Sequence, residues 1–367
     1  MSLLDETIAR IVGGDPRASA AAAAALDAKT KPVGSLGRFE ELACRIASIR
    51  GSVPDHAPAP AIVVAAADHG VARAGVSAYP PEVTAQMLAN FASGGAAVAV
   101  LAREAGARLV VVDAGVHRDR GRVDGIVDAT VDGLRGTDDL SVRPAMSRST
   151  ATGAIGHGIG IARHLADEGL ELIAVGEMGI GNTTAASAMT AALTGAAVED
   201  VTGPGTGIDA DGLARKVEIV RQALDLHGLG IGRRHRVEVV DVLARVGGLE
   251  IAFLVGVILG AAARRVPVVL DGFITGVAAL VAARLAPRAV DATIAATRSP
   301  EPGHDVVLEA LGLRPILDLD LRLGEGSGAA LALPIVRAAV TILTDMATFS
   351  SAGVSERSDD AVPMTSA

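Results

Sequence analysis

The stretch Ala61-Ile-Val-Val-Ala-Ala-Ala-Asp-His-Gly-Val71 decides the fold of this chain. It begins with a continuous apolar run, the pattern of a strand in a parallel sheet that helices cover on both faces. The run stops at Asp68 and His69, and the carboxyl ends of such strands are where α/β proteins present functional groups. The stretch therefore predicts a buried parallel strand with a candidate site at its carboxyl end.

The same pattern recurs along the chain, with helical patterns between the runs. Arg108 to Gly115 is a second apolar run that ends in an acid and a glycine, and further strands are predicted at residues 170–175, 266–270 and 291–297. Residues 315–323 alternate in polarity, which also predicts a strand. This alternation of strands and helices is typical of an α/β protein.

Composition excludes several classes of function. The 367 residues carry a formal net charge of -9 without a long basic run, which argues against binding to nucleic acid or to an anionic membrane. The single cysteine, Cys44, excludes intramolecular disulfides and cysteine-based zinc sites. No secretory signal is evident, and the apolar run 251–263 is shorter than the ~20 residues that span a bilayer. We therefore expect small-molecule chemistry in a reducing, cytoplasmic compartment.

Two glycine-rich loops precede predicted helices. Gly176-Glu-Met-Gly-Ile-Gly-Asn-Thr-Thr184 is the first, and Thr202-Gly-Pro-Gly-Thr-Gly207, followed by Asp209 and Lys216, is the second. Backbone N–H groups at a helix N-terminus favour a phosphate or a carboxylate. Neither loop matches the Walker pattern or the dinucleotide-binding fingerprint. Each loop is therefore a candidate phosphate site, with a plain connection as the alternative.

The segment Gly75-Val-Ser-Ala-Tyr-Pro-Pro-Glu-Val-Thr-Ala-Gln86 carries the only tyrosine of the chain, Tyr79. Its prolines predict that a helix starts near Pro81. Tyr79 and Gln86 suit a flat aromatic ligand, the first by ring contact and the second by hydrogen bonding. A capped surface turn is the alternative interpretation.

One carboxylate, Glu325, stands among glycines in Leu323-Gly-Glu-Gly-Ser-Gly-Ala-Ala-Leu-Ala-Leu-Pro334. Glycines on both sides allow backbone and ligand to approach closely, and a turn with little side-chain cover can hold an acid partly desolvated. Desolvation raises the pKa of a carboxyl group, which suits a general base. The alternative is that Glu325 caps the helix that follows it.

In their order along the chain, these motifs resemble one family, the nicotinate-nucleotide:dimethylbenzimidazole phosphoribosyltransferases of cobalamin biosynthesis. The resemblance covers nearly the whole chain. The segments that carry it are Lys31-Pro-Val-Gly-Ser-Leu-Gly-Arg38, Asp68-His-Gly-Val71, residues 75–86, 176–184 and 203–207, Leu270-Asp-Gly-Phe273 and Arg322-Leu-Gly-Glu-Gly-Ser-Gly328. The chain departs from the family pattern at Ala296-Thr-Arg-Ser299, which keeps only the last serine of Ser-His-x-Ser, and it has Gly-Ser-Gly after Glu325 in place of Gly-Thr-Gly.

The resemblance implies a three-layer α/β/α fold with a mainly parallel, Rossmann-like sheet, a small helical domain built from both chain ends, and a homodimer. We expect N-terminal helices of the small domain at 1–55 and an α/β nucleotide- and base-binding domain at 56–325. A C-terminal helix at 326–350 is expected to return to the small domain, followed by a flexible tail at 351–367.

The resemblance also implies a reaction, the transfer of phosphoribose from nicotinate mononucleotide to 5,6-dimethylbenzimidazole, giving α-ribazole 5′-phosphate and nicotinate. The leaving ring is a pyridinium and departs neutral, so the step needs no acid on that nitrogen. The attacking azole becomes acidic and needs a base, and Glu325 resembles that base. No cofactor and no metal are expected, because no pyrophosphate leaves.

The family motifs assign further residues by resemblance. Glu177 resembles the acid of the nucleotide pocket, where a carboxylate stabilises positive charge that develops on the ribose. Ser77, Tyr79, Gln86 and Met178 are expected to line the slot for the flat base. The expected substrate-binding residues of the glycine loops and the final turn are Gly179, Asn182, Thr183, Gly205, Thr206, Lys216, Ser299 and Leu323.

Two other classes of function are compatible with these residues. One is a non-catalytic nucleotide-binding protein on the same fold, in which Glu325 is structural. The other is a transferase or hydrolase that acts on a different N-glycosidic bond.

Overall fold

A computed structural model describes residues 1–117, 124–230 and 237–355. Within these residues one sheet is formed by the strands β1 (Pro60–Ala67), β2 (Arg108–Gly115), β3 (Ile126–Asp128), β4 (Leu172–Met178), β5 (Val268–Leu270) and β6 (Thr293–Ala295). Their order across the sheet is β3-β2-β1-β4-β5-β6, and every neighbouring pair is parallel. Helices lie on both sides of the sheet, so the predicted α/β/α class is confirmed.

β1 is buried along its whole length, as its continuous apolar run predicts. It lies between β2 and β4, and its Ala65 pairs in register with Glu177 of β4. The strands predicted from the other apolar runs are present as β2, β4, β5 and β6. β3, a short strand at the sheet edge, has only three residues and no apolar pattern that would predict it.

The strand predicted at residues 315–323 is wrong. In this segment, all of which is described, only Leu317 pairs, through an isolated bridge to Thr297. Asp320 has a φ of 54°, which breaks an extended run, and Leu319 and Leu323 are 54% and 55% exposed. The alternation of polarity therefore does not correspond to a buried face, and the segment is a loop that leads to Glu325.

The connecting elements are mainly helical. The α-helices of the described residues are α1 (Leu3–Arg10), α2 (Pro16–Asp27), α3 (Arg38–Arg50), α4 (Val83–Ser93), α5 (Ala97–Glu104), α6 (Arg148–Asp167), α7 (Asn182–Thr194), α8 (Val198–Val201), α9 (Ala210–Leu226), α10 (Val239–Val246), α11 (Leu249–Ala263), α12 (Phe273–Leu285), α13 (Pro302–Leu311), α14 (Ser327–Asp345) and α15 (Phe349–Ala352), with 3₁₀ turns at Gly70–Ala74 and Pro287–Ala292.

The central helix of the core is α11, which contacts β1, β2, β4 and β5 and is buried from Leu249 to Ala262. Glycines allow α6 to cross it closely, because a methyl group at Gly158 would lie 2.8 Å from the backbone nitrogen of Val257. This close packing suits a core built from small aliphatic side chains.

Two stretches, 83–104 and 327–345, are apolar and long enough to cross a membrane by length and composition alone. The first consists of α4 and α5, separated by Gly94 and Gly95. The second is α14, which begins directly after the Glu325 turn. More than half of its most apolar 18 residues are buried. Core helices of folded proteins can have the same length and apolar composition, so we interpret both stretches as parts of the folded protein.

The chain divides into two compact units, residues 1–13 with 58–334 and residues 14–57 with 335–367. The first contains the whole sheet. In the second, Lys29 Nζ donates a hydrogen bond to the carbonyl of Met346 at 2.7 Å, and Lys31 pairs with Glu40 at 2.8 Å. The domain boundaries given above stay a prediction, and most of the predicted tail, residues 356–367, lies outside the described residues.

Candidate active site

A cavity of about 400 Å³ opens beyond the carboxyl ends of β4, β5 and β6. In a sheet of this order, the chain turns away in opposite directions from β1 and β4, and ligands bind in the crevice next to that point. Among the predicted site residues, those that line the cavity are Tyr79, Glu177, Met178, Gly179, Asn182, Thr183, Gly205, Thr206, Ser299, Leu323 and Glu325.

Three predicted site residues do not line it. Ser77 lies behind Thr206, with 3.0 Å between their hydroxyl oxygens. Gln86 is exposed on α4, whereas Val83 and Met87, one helical turn apart, face the cavity. Gln86 is three residues after Val83 and so lies near it on the helix surface, but its side chain is on the exposed edge of that surface and does not reach the cavity.

Lys216 is the third, and its side chain forms hydrogen bonds with residues of both glycine loops. Its side chain is fully buried, and Nζ donates hydrogen bonds to Thr183 Oγ1 at 2.8 Å and to the carbonyl of Gly203 at 2.9 Å. Burial lowers the pKa of Lys216 to about 8, although the nearby Glu301 carboxylate opposes this shift. The ammonium group therefore joins the two loops that the sequence identifies as candidate phosphate sites.

Glu325 lies on a strained turn. Its φ is 64°, between 76° for Gly324 and 82° for Gly326, and a non-glycine residue in this region costs on the order of 1–3 kcal/mol. Gly176 of β4 lies directly against the turn, since a methyl group there would be 2.6 Å from the carbonyl carbon of Glu325. Strain of this kind persists only where the surrounding structure holds it, and it points to a functional role for the side chain.

Asp271, which follows β5, holds this turn in place. Its Oδ2 accepts a hydrogen bond from the Gly326 N–H at 3.1 Å, and its Oδ1 accepts one from the Ala329 N–H at 2.9 Å. The carboxylate thus caps the N-terminus of α14. The capping role that the sequence left open for Glu325 is filled by Asp271, so the Glu325 side chain is available to the cavity.

The surroundings of Glu325 raise its pKa into the range of a general base. The residue is 6% exposed, and burial together with the charge of Asp271 raises its pKa to about 7. Burial also raises the pKa of Asp271 to about 6, although the backbone N–H groups of α14 favour its ionised form. A carboxylate with a pKa near neutral pH is suited to accept a proton in a reaction.

Glu177, at the end of β4, is the second acid of the cavity. Asn182 donates a hydrogen bond to its Oε2, and a methyl group at Gly324 would lie 2.8 Å from its Oε1. Burial, followed by the charges of Glu250 and Asp271, raises the pKa of Glu177 well above its ordinary value. Glu177 and Glu325 therefore form one acidic end of the cavity.

The glycine loops differ in what their N–H groups contact. At the first, α7 begins after Gly181, whose φ is 96°, and the Ile180 N–H donates to Thr84 Oγ1 at 3.1 Å. At the second, the Gly205 N–H donates to Glu301 Oε1 at 2.8 Å. A side-chain carboxylate therefore contacts the second loop, as expected for N–H groups that favour anions.

The segment that departs from the family pattern still contributes to the cavity. Thr297 and Ser299 both line it, and Thr297 Oγ1 donates to the carbonyl of Asp271 at 2.8 Å. The Ser299 N–H donates to His304 Nδ1 at 2.9 Å. Burial lowers the pKa of His304 to about 4, so the neutral ring accepts this bond and fixes the loop.

Sequence reasoning did not assign several residues that line the cavity, among them Asp271, Val83, Met87 and Arg322. Asp271 had a usable signal, because an acid and a glycine follow β5, just as an acid and a glycine stand in the last three residues of β2. Val83 and Met87 show helical spacing, which predicts a common face but not what that face meets. Arg322 is the only Lys, Arg or His side chain among the described residues that line the cavity, and a methyl group at Gly207 would lie 3.7 Å from its Nη1.

The arrangement combines three chemical properties. One wall is apolar and partly aromatic, formed by Tyr79, Val83 and Met87. The acidic end carries Glu177 and Glu325, while Arg322 lies near the second glycine loop. In the described ranges no group of three or more His, Cys, Asp or Glu residues is arranged to hold a metal ion. The cavity thus suits a ligand with a flat ring, a region of positive charge and an anionic group.

Known proteins show similarity over nearly the full chain. A family model described as phosphoribosyltransferase matches residues 11–354. A nicotinate-nucleotide–dimethylbenzimidazole phosphoribosyltransferase of Chloroflexus aggregans is 55% identical over 98% of this chain and 100% of its own length, and one of Geobacter metallireducens is 49% identical over 98% and 100%. The crystal structure of such an enzyme from Thermus thermophilus has a TM-score of 0.86 at 45% identity and covers 94% of this chain and 100% of its own.

Proposed function

The chain belongs to the nicotinate-nucleotide–dimethylbenzimidazole phosphoribosyltransferase family, and from this membership we propose how its cavity carries out the reaction. It is a pentosyltransferase of the nucleotide-loop branch of cobalamin biosynthesis. It transfers phosphoribose from nicotinate mononucleotide to 5,6-dimethylbenzimidazole and releases nicotinate. The observation that carries the mechanism is the buried Glu325 carboxyl, which lines the cavity on a strained turn with a pKa of about 7.

In the proposed step, one benzimidazole nitrogen bonds to the anomeric carbon while the bond from that carbon to the pyridinium nitrogen breaks. The bonding electrons return to the nicotinate ring, which leaves neutral at that nitrogen. The second benzimidazole nitrogen then carries an acidic proton, and the Glu325 carboxylate accepts it. A base in position for such a proton contributes on the order of 10²- to 10⁴-fold to the rate.

The remaining residues position the two substrates. Tyr79, Val83 and Met87 form the wall against which the flat acceptor stacks, and Glu177 stabilises the positive charge on the ribose. Arg322 and the loop Thr202–Gly207, supported by Lys216, bind the phosphate. Apolar contact with an aromatic ring and charge-assisted contacts with phosphate are the interactions that these side chains favour.

The direct test incubates purified protein with nicotinate mononucleotide and 5,6-dimethylbenzimidazole and follows nicotinate release and product formation by chromatography. Nicotinate release that depends on the acceptor supports transfer. Nucleotide binding without release would support a non-catalytic protein, and release without an acceptor would indicate a hydrolase. Competition among benzimidazoles, adenine and phenols identifies the preferred acceptor.

We further propose that the enzyme is a cytoplasmic homodimer, on the basis of its family resemblance and its composition. Light scattering coupled to size-exclusion chromatography measures the mass of the assembly. A monomeric mass at micromolar concentration would contradict the dimer.

A further inference from the structure

Glu301 is a buried acid on the cavity wall that the proposed reaction does not use. It is 8% exposed and lines the cavity. It stands at the N-cap position of α13, but its side chain does not cap that helix. Instead, its Oε1 accepts the hydrogen bond from the Gly205 N–H at 2.8 Å, across 96 positions of the chain. The side chain therefore reaches away from its own helix to the second glycine loop.

The second oxygen of this carboxylate, Oε2, is buried and has no hydrogen-bond partner among the described residues. It packs closely against the loop, since a methyl group at Gly203 would lie 2.4 Å from it. A buried carboxylate with an unpaired oxygen lowers the free energy of unfolding rather than raising it. Such a group calls for an explanation other than stability, and its contact with the loop supplies one.

Lys216 holds the same loop at a second point. Its Nζ donates the hydrogen bond to the carbonyl of Gly203, and a methyl group at Gly205 would lie 3.2 Å from the same Nζ. Gly205 has a φ of 55°, a conformation in which residues other than glycine are strained. The loop is thus held by a lysine side chain at the Gly203 carbonyl and by a glutamate side chain at the Gly205 N–H.

The contact also decides what the Gly205 N–H can bind. Backbone N–H groups of a glycine-rich loop favour anions, and here the acceptor is a carboxyl group of the chain itself. The next residues of the loop lie toward the cavity, because Thr206 lines it and a methyl group at Gly207 would lie 3.7 Å from Arg322 Nη1. An anionic ligand is therefore left with the part of the loop that lies near Arg322.

We propose that Glu301 is a positioning residue of the nucleotide site, which occupies the Gly205 N–H in place of a phosphate and holds the loop so that Thr206 and Arg322 receive the phosphate. This inference rests on the proposed function, because it requires nicotinate mononucleotide as the ligand. Without the Glu301 side chain the loop is free to leave this conformation, and the nucleotide must reorder it on binding. The loss then appears in the KM for the nucleotide, whereas kcat at saturation changes little.

Two substitutions of Glu301 separate the hydrogen bond from the charge. Glu301→Gln keeps an acceptor oxygen within reach of the Gly205 N–H but loses the charge, so the KM for nicotinate mononucleotide is expected to stay within about 3-fold of wild type. Glu301→Asp keeps the charge but has a shorter side chain, so its carboxylate is withdrawn from Gly205 and the KM is expected to rise about 10-fold or more. In both variants kcat is expected to stay within about 3-fold of wild type.

Glu309→Asp, at an exposed position of the same helix, is the matched control and is expected to leave both kinetic constants unchanged. Circular dichroism identifies the variants that fold, and aspartate is a favoured residue at the N-cap position that Glu301 occupies. Nicotinate release at saturating 5,6-dimethylbenzimidazole gives KM and kcat. Equilibrium titration with nicotinate mononucleotide measures the affinity independently of turnover, and either folded Glu301 variant suffices to test the inference.

The outcomes separate this inference from the proposed function. A raised nucleotide KM in Glu301→Asp, with Glu301→Gln near wild type and the control unchanged, supports the positioning role. A wild-type KM in Glu301→Asp would overturn it, because the contact with Gly205 would then be dispensable. An impaired Glu301→Gln protein would also overturn it, because the charge rather than the hydrogen bond would then matter. If the wild-type protein neither binds the nucleotide nor releases nicotinate, the proposed function fails and this inference fails with it.

Discussion

Asp271 Oδ2 accepts a hydrogen bond from the backbone N–H of Gly326 at 3.1 Å, across 55 positions of the chain. This contact ties the carboxyl end of β5 to the strained turn that carries Glu325. The same carboxylate raises the pKa of Glu325 through its charge. One residue outside the predicted catalytic set therefore holds the turn of the proposed base in place and adds to the rise in its pKa that burial causes.

Replacing Glu325 by glutamine is expected to lower kcat by on the order of 10²- to 10⁴-fold, because the acceptor proton loses its base. Nucleotide affinity should stay within several fold of wild type, since the side chain keeps its size. Single-turnover assays and equilibrium titration with nicotinate mononucleotide measure the two effects. Unchanged turnover would remove Glu325 from the proposed role.

The pH dependence of activity is expected to follow the ionisation state of Glu325. Only the carboxylate form of Glu325 accepts a proton, so activity at low acceptor concentration is expected to rise with pH through about 7. Asp271→Asn removes the neighbouring negative charge and should shift this rise to lower pH. It should also destabilise the protein by about 1–3 kcal/mol, because asparagine leaves one N–H of the α14 terminus without an acceptor. A rise that stays at the wild-type pH in a folded Asp271→Asn protein would contradict this account.

The contribution of Glu325 to the free energy of unfolding is expected to fall as the pH rises, over the range in which activity is expected to rise. The folded state raises the pKa of Glu325 from 4.5 to about 7, so it binds this proton more tightly than the unfolded chain. The contribution of the protonated form is present below pH 4.5 and is lost as the pH rises to about 7. Glu325→Gln, which mimics the protonated form, should therefore raise Tm at pH 8 and change it little near pH 4.5. Equal Tm changes at both pH values in thermal unfolding would contradict the linkage.

Gly176→Ala tests the contact between β4 and the Glu325 turn. Its methyl group would lie 2.6 Å from the carbonyl carbon of Glu325, so we expect a loss of about 1–3 kcal/mol in stability and a large fall in turnover. Gly160→Ala is the matched control, because its methyl group meets nothing within 4 Å and alanine favours the helix. Denaturant unfolding and nicotinate release provide the measurements. Similar behaviour of the two variants would show that the turn does not depend on this approach.

The acceptor wall can be tested through Tyr79, which is 54% exposed at the cavity rim. An aromatic contact of about 0.5–1.5 kcal/mol predicts that Tyr79→Ala raises the KM for 5,6-dimethylbenzimidazole about 2- to 12-fold. The KM for nicotinate mononucleotide should be nearly unchanged. Tyr79→Phe keeps the ring and should behave as wild type in the same steady-state assay. A change confined to the nucleotide KM would place Tyr79 at the other substrate.

By itself the sequence determined the features that depend on neighbouring residues, namely most of the strands and the glycine-rich turn that carries the candidate base. Continuous apolar runs predicted β1, β2 and β4 to β6, and glycines around one acid identified the Glu325 turn before any geometry was considered. The strand prediction for residues 315–323 was wrong for a physical reason. Alternating polarity specifies a strand only where another part of the protein packs against its apolar face. The period of a helix likewise could not show that Val83 and Met87, rather than Gln86, would meet the cavity.

Only the tertiary structure decided which distant groups share one environment. The parallel sheet brings the carboxyl ends of β1, β4, β5 and β6 to the same edge, which places Asp271 beneath the Glu325 turn and His69 against Glu250. The pKa of a carboxyl group depends on burial and on neighbouring charge, and both are properties of packing across the chain rather than of adjacent residues. The sequence could therefore identify Glu325, while its strength as a base depends on residues that the fold brings to it.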